Sequence, residues 1–297
     1  MKFLRHVNSA GVASSSTTCV VRPNSVWRRI CVLSLGFFCV GIVGRLSCTA
    51  ADIARYRFHD IEINVCKIDL RHDTLRMFWR DDHKQVFGKF NRLQAWLRPQ
   101  GEDVVCATNG GIYDIDYRPR GLYIENGVTL RRLNRAKGGY GNFYLQQNGI
   151  FLIGEQGAEI VETDRFAAER AARWPHIVFA TQSGPLLIQN GQINPAFATE
   201  SHNKLIRNAA CTTSPHDVVL AFARGPVSFF EFATFLHDTL GCHDALYLDG
   251  HISRMYPGDD ADVGTDFGVL VAAVRKAGPS CQIKRVESRE NEENPCN

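Results

Sequence analysis

Three apolar runs in this sequence each stop at a short polar cluster containing glycine. Asp103–Thr108 stops at Asn109-Gly110-Gly111-Ile112-Tyr113-Asp114. Ile177–Ala180 leads into Gln182-Ser183-Gly184-Pro185, and Ala245–Leu248 into Asp249-Gly250-His251-Ile252-Ser253. Short apolar runs bounded by turn residues read as strands. The pattern confines the chain to a sheet architecture whose strand ends carry polar loops, where rigid scaffolds carry sites.

Other strands follow from alternation and turns. Ile61, Ile63 and Val65 alternate with Glu62 and Asn64, and the polar stretch 71–74 turns into Leu75–Trp79, which predicts a hairpin. Asn126-Gly127 and Asn148-Gly149 each sit between strand-like runs and predict two more hairpins. Phe87, Phe90, Leu93 and Leu97 predict a helix over 86–97, and Thr163-Asp164 can cap one running to Arg173. Ser228 and Glu231 form a capping box for a helix stopped by Gly241. Val218–Ala223 reads as a buried strand and Phe267–Val274 as the closing one. The expected class is α+β: a single strand-rich domain with a mixed β-sheet and a few packed helices.

Charge divides the chain. It has 34 Lys and Arg against 31 Asp and Glu, a formal +3. Residues 1–50 hold six of the basic residues and no acidic one, so residues 51–297 keep 28 basic against 31 acidic, a balance of −3. A slightly acidic domain gives no reason to expect a nucleic-acid partner. Basic residues ahead of the apolar run 30–43 form the pattern of a secretory signal, with small residues near Ala50 suited to cleavage. Left uncleaved, residues 30–44 would be a membrane anchor. The expected organisation is an N-terminal basic segment over 1–50, a domain over 51–277 and a polar tail over 278–297. The expected location is exported, periplasmic or extracellular.

Export would place the cysteines in an oxidising compartment. Six of the ten lie beyond the first segment, and six permit 15 pairings. No Cys or His spacing suits zinc, and Cys66 and Cys106 read as apolar packing within strands. Asp259, Asp260 and Asp262 lack the EF-hand spacing and read as a solvated loop, so no metal or cofactor is expected. Ser183 lacks the Gly-x-Ser-x-Gly elbow of serine hydrolases.

Taken in order, ATNGGIYD, RPRGLYIENG, GNFYLQQNGIF, ATQSGPLLI, IRNAAC, GPVSFFEFATFL and ALYLDGHISRMY resemble the phosphodiester glycosidase family over about 57–274. The compact bacterial members are closer than the animal type, which carries glycines and serine after Leu-Asp-Gly where this chain has His251, Ile252 and Ser253.

The resemblance implies hydrolysis of a sugar joined through its anomeric oxygen to a phosphodiester. Phosphate leaves readily, so the chemistry needs a cation for the phosphate and a carboxylate on the sugar side. Arg207 matches the family's arginine position, and Arg120 is the second candidate, because a guanidinium fork suits phosphate oxygens. Asp249 is the expected carboxylate, as nucleophile or as base toward water, with Asp114 as the second. Asn109, Gln182, Ser183 and His251 are expected substrate-binding side chains. Gly250 is an expected substrate-binding residue too, and backbone N–H groups at Gly110, Gly111 and Gly184 are expected to join as an anion nest. Glu125, in its hairpin, reads as structural. The altered residues after Gly250 also admit an inactive envelope glycan-binding protein of the same fold. The expected partner in either case is a carbohydrate phosphodiester.

Overall fold

The central strands of the domain are buried on both faces over most of their length, which explains why their sequence runs are so continuously apolar. The computed structural model describes residues 51–277 except Gln146 and His251. The basic segment 1–50 and the tail 278–297, with the anchor expected at 30–44, lie outside the described residues.

In chain order the strands are β1 (Asp52–Phe58), β2 (Ile61–Asp69), β3 (Thr74–Phe78), β4 (Glu102–Asn109), β5 (Tyr123–Glu125), β6 (Val128–Arg131), β7 (Gly149–Gly154) and β8 (Gly157–Glu162). They continue with β9 (Ile177–Ser183), β10 (Leu186–Gln189), β11 (Gln192–Ile193), β12 (Leu205–Thr212), β13 (Asp217–Val227), β14 (Asp244–Tyr247), β15 (Met255–Tyr256) and β16 (Leu270–Lys276). The α-helices are α1 (Phe90–Leu97), α2 (Thr163–Arg173) and α3 (Phe229–Thr234), the last continuing as a wider π turn, Phe235–Thr239.

These strands make three sheets: β1-β2-β13-β12-β14-β10-β11, β15-β4-β16-β3, and β6-β5-β9-β7-β8. Side chains alternate across each strand. On β2, Cys66 and Ile68 enter a core shared by all three sheets, while Ile63 and Val65 face the α3 side. On β12, Ala210 points into the shared core while Ala209 and Cys211 point outward with Phe232, Phe235 and Leu236. Helix α1 covers the four-stranded sheet with Phe90, Leu93 and Leu97, and α2 places Phe166 on the five-stranded one.

The α+β class is found, and the domain is strand-rich. The sheets are not mixed, however: every pairing among the described strands is antiparallel. The hairpin expected between β2 and β3 does not form. β2 pairs with β1 and β13, and β3 pairs with β16 in another sheet, so the turn at 71–73 carries the chain between sheets. Asn126-Gly127 does close a hairpin, both residues having positive φ (50° and 78°). Asn148-Gly149 does not; Asn142–Tyr144 is a short 3-10 turn and β7 pairs with β8 and β9. Helix α1 starts later than periodicity suggests, because Gly88 takes a left-handed φ of 64° and Lys89 is extended. The Ser228–Glu231 capping box is present, and Glu162 rather than Thr163 caps α2.

Cys66 and Cys106 are not free packing residues. They form a disulfide that joins β2 to β4 across the shared core, and a second joins Cys211 to Cys242. Distant strands whose inner faces meet in one core bring the two thiols together, which no local pattern reveals.

Candidate active site

The ends of β4, β9, β12 and β14 converge, and one buried side chain ties most of them together. Asn208 projects from β12 into the shared core, on the face opposite Arg207. Its Oδ1 accepts from the Asp249 backbone N–H at 2.8 Å and from Ser253 Oγ at 3.0 Å. Its Nδ2 donates to Thr108 Oγ1 and to the Asn109 carbonyl, both at 2.8 Å. Asn109 Oδ1 in turn accepts from the Arg254 N–H at 3.0 Å. Ser183 Oγ donates to the Leu248 carbonyl at 2.6 Å, immediately before Asp249. Two of the three polar clusters are thus bonded through Asn208, and the third holds Leu248 through Ser183.

Asp249 follows β14 at the edge of this network. Its Oδ1 accepts from the Gly250 N–H at 2.7 Å. Burial of the carboxyl pushes its pKa up to about 6, against a weaker lowering by that hydrogen bond. The hydroxyls of Tyr113 and Tyr247 are both held above the ordinary tyrosine value, by burial first and then by the negative charge of Asp249. Tyr247 Oη accepts from Asn142 Nδ2 at 3.0 Å. Gly250 is required here, because a Cβ on it would stand 2.3 Å from that hydroxyl.

Arg207 lies on the other face of β12, fully buried at 0% exposure. The pairing of β12 with β13 slips between Leu205 and Arg207, and Arg207 Nε donates to the Val227 carbonyl there at 2.8 Å. Its Nη2 donates to the Asn203 carbonyl at 2.9 Å, while Nη1 is buried with no partner. The guanidinium carbon stands 3.7 Å from the Phe229 ring centroid and 5.6 Å from that of Tyr247. Burial pulls its pKa down from the ordinary arginine value, and Tyr247 opposes that. Tyr247 therefore feels both charges: that of Asp249 raises its pKa and that of Arg207 lowers it.

Several expected site residues have other duties. Gln182 uses its whole amide on the fold. Its Oε1 accepts from the N–H groups of Leu122 and Asn134, and its Nε2 donates to the Asn134 carbonyl and to Thr163 Oγ1. That is the full capacity of the group, so Gln182 has none left for substrate. Ser183 is likewise buried on Leu248. The Gly110 N–H donates to the Val269 carbonyl at 2.7 Å and cannot join an anion nest. Gly111 and Gly184 give close packing rather than ligand access: a Cβ would stand 2.5 Å from the Gln182 carbonyl and from the Asn148 Cβ, respectively.

Arg120 and Asp114 are each other's partner, Nε and Nη2 contacting the same carboxylate oxygen at 2.9 and 2.8 Å. They stand near the site through Tyr144, whose ring lies 5.9 Å from the Arg120 guanidinium in the same turn as Asn142. Glu125 bonds Tyr123 Oη in its hairpin. The acidic loop also has local work: Asp262 accepts from the first N–H groups of α1, and Asp260 pairs with Arg224. His251 lies outside the described residues.

Asn208, Tyr247, Tyr113 and Asn142 were not expected. The sequence held a signal for two of them: an asparagine inside the apolar run Asn208-Ala209-Ala210-Cys211, and Tyr247 two residues before Asp249, hence on the same face.

The phosphodiester glycosidase family model matches residues 102–266, more than half of the chain. The uncharacterized protein YigE of Escherichia coli is 34% identical over 211 residues, covering 71% of this chain and 80% of that protein. Among solved structures, the catalytic domain of zebrafish N-acetylglucosamine-1-phosphodiester alpha-N-acetylglucosaminidase aligns with a TM-score of 0.49 at 15% identity, over 75% of this chain and 81% of that one. A hypothetical protein from Synechocystis aligns with a TM-score of 0.43 at 13% identity, over 75% of this chain and 61% of that one.

Proposed function

The chain belongs to the phosphodiester glycosidase family, and on that premise we propose that it is an exported hydrolase releasing a sugar from a sugar-1-phosphodiester. The observation that carries the reading is the trio Asp249, Tyr247 and Arg207. The charges of a desolvated carboxylate and a desolvated cation both act on one tyrosine hydroxyl, and the cation stands 5.6 Å from that ring's centroid.

Water attacks the anomeric carbon, its proton passes to the Asp249 carboxylate, and the bond from that carbon to the bridging oxygen breaks. The electron pair leaves with the phosphate monoester. A carboxylate titrating near 6 is ionised at neutral pH yet basic enough to take a proton. Asp114 is held by Arg120. That leaves Asp249 as the carboxylate available here and favours the base role over a two-carboxylate mechanism.

Arg207 Nη1, buried without a partner, supplies an N–H for a phosphate oxygen once the side chains over it move aside. An unmet buried donor costs about 1–3 kcal/mol, which a phosphate contact would recover. Tyr247 Oη and the Asn142 amide offer further donors to the sugar or phosphate. The basic, apolar start of the chain and the two disulfides of the domain support export.

Incubation with a panel of α- and β-hexose-1-phosphodiesters tests the reading, with free sugar and phosphate monoester measured together. Asp249→Asn is expected to slow release by about 10²–10⁴-fold. Release at the wild-type rate by both Asp249→Asn and Arg207→Ala would overturn the assignment.

A further inference from the structure

Between 118 and 137 the sequence places six basic residues (Arg118, Arg120, Arg131, Arg132, Arg135 and Lys137) against one acidic residue, Glu125, in a region whose overall balance is negative. The fold gathers several of them on two adjoining open clefts of about 580 and 500 Å³. Both clefts are lined by Arg120, Arg131 and Asn134. The first adds Asp114, Tyr140 and Tyr144, and the second adds Arg132 and Arg135.

The charges are under-compensated. Arg118 is paired with Asp116 and Arg120 with Asp114, and Arg135 and Lys137 share the single carboxylate of Asp164 at 3.0 and 2.8 Å. Among the described residues, no carboxylate lies within ion-pair distance of Arg131 or Arg132. The floor is rigid, because Asn134 is bonded through its N–H and its carbonyl to Gln182, and through Nδ2 to the Arg120 carbonyl. Tyr140 is 98% exposed at the rim, a flat apolar face of the kind sugar rings stack on.

Arginines on an edge strand such as β6 also serve to deter pairing with other chains. That role does not explain this patch. β6 itself exposes the apolar Val128 and Leu130, and the basic run continues past the strand onto the cleft wall. A run of contacts also leads from the clefts to the candidate active site. Arg120 lies against Tyr144, and the same turn carries Asn142, bonded to Tyr247 beside Asp249.

We propose that these clefts are a polyanion subsite and that the substrate is a polymer of sugars joined by phosphodiesters. Phosphates of repeats beyond the scissile one are held by Arg131 and Arg132. The inference rests on the hydrolase reading and names its substrate class.

The test compares a hexameric glucose-1-phosphate oligomer with a substrate holding one phosphodiester, using the full chain and Arg131→Gln/Arg132→Gln. For the wild type, kcat/KM on the hexamer is expected to be about tenfold higher at low salt, with the excess vanishing at high salt. The double variant is expected to lose that excess while keeping the wild-type rate on the short substrate. Hexamer binding to Asp249→Asn, followed by calorimetry, separates the two readings. Salt-sensitive binding without turnover by any form would remove the hydrolase and leave the subsite. Equal kcat/KM on both lengths, or binding as tight to single-stranded DNA with the same number of phosphates, would overturn the subsite.

Discussion

The backbone N–H of Asp249 is held by the side-chain carbonyl of Asn208 at 2.8 Å, from the neighbouring strand. The carboxylate proposed to act on the sugar therefore does not hang on a free loop. Its main chain is bonded to an amide that also grips the end of β4 and Ser253. Such a buried network holds a reacting group still through the bonds its members make, and the Asn109 Nδ2 group is a buried member without a partner.

Asn208→Ala should therefore damage both stability and turnover. It strands the Asp249 N–H and Ser253 Oγ, and deprives Thr108 and Asn109 of a donor. The expected loss is about 3–5 kcal/mol, against about 1 kcal/mol for Ser253→Ala. Urea denaturation of both variants checks this, and a wild-type midpoint for Asn208→Ala would dismiss the network.

Asp249 should leave a signature in the pH dependence of stability. Its folded pKa is raised to about 6 from an ordinary 3.8. Below about pH 3, well under both values, the carboxyl is protonated in both states and imposes no penalty. As pH rises the unfolded chain ionises first, and the folded state loses about 1–3 kcal/mol by the time the pH has passed 6. Asp249→Asn should thus match the wild type in stability at about pH 3 and exceed it at about pH 8. In the active protein, kcat/KM should rise through about pH 6 to a plateau.

Gln182 separates support from binding. Gln182→Glu keeps an acceptor for Leu122 and Asn134 but loses the two donated bonds to Asn134 and Thr163. A loss of about 2–3 kcal/mol is expected, with KM for a short substrate unchanged. A wild-type melting temperature with a raised KM would return Gln182 to the substrate.

The Cys66–Cys106 bond closes a loop 40 residues apart in sequence and links two sheets. Replacing both by Ala should lower stability by about 3–4 kcal/mol, mostly by freeing the unfolded chain. Denaturation midpoints with and without reductant measure it; the double variant should have lost most of the response to reductant that this bond contributes.

Local patterns carried much of the architecture. Most strands, the capping box at Ser228 and the turn at Asn126-Gly127 were legible because each depends on neighbours in sequence. Strand partners were not. The runs before and after 71–73 look like a hairpin, yet they join different sheets, since alternation tells which face is apolar and not what covers it. The same limit hid the Cys66–Cys106 bond.

The site divides the same way. Asp249 and Arg207 could be named from their places beside apolar strands and from the family's motifs. Gln182, Ser183 and Gly110 could be named too, and their hydrogen bonds then turned out to be used within the fold. A polar residue at a strand end looks the same in sequence whether it faces a ligand or a neighbouring loop. By itself the sequence determined the strand-rich class, the basic composition of residues 1–50 and the polar strand ends, because these follow from periodicity and charge along the chain. Only the tertiary structure decided which polar groups are already satisfied and which, like Arg207 Nη1, are not. Hydrogen-bond satisfaction is settled by partners that folding brings from a hundred residues away.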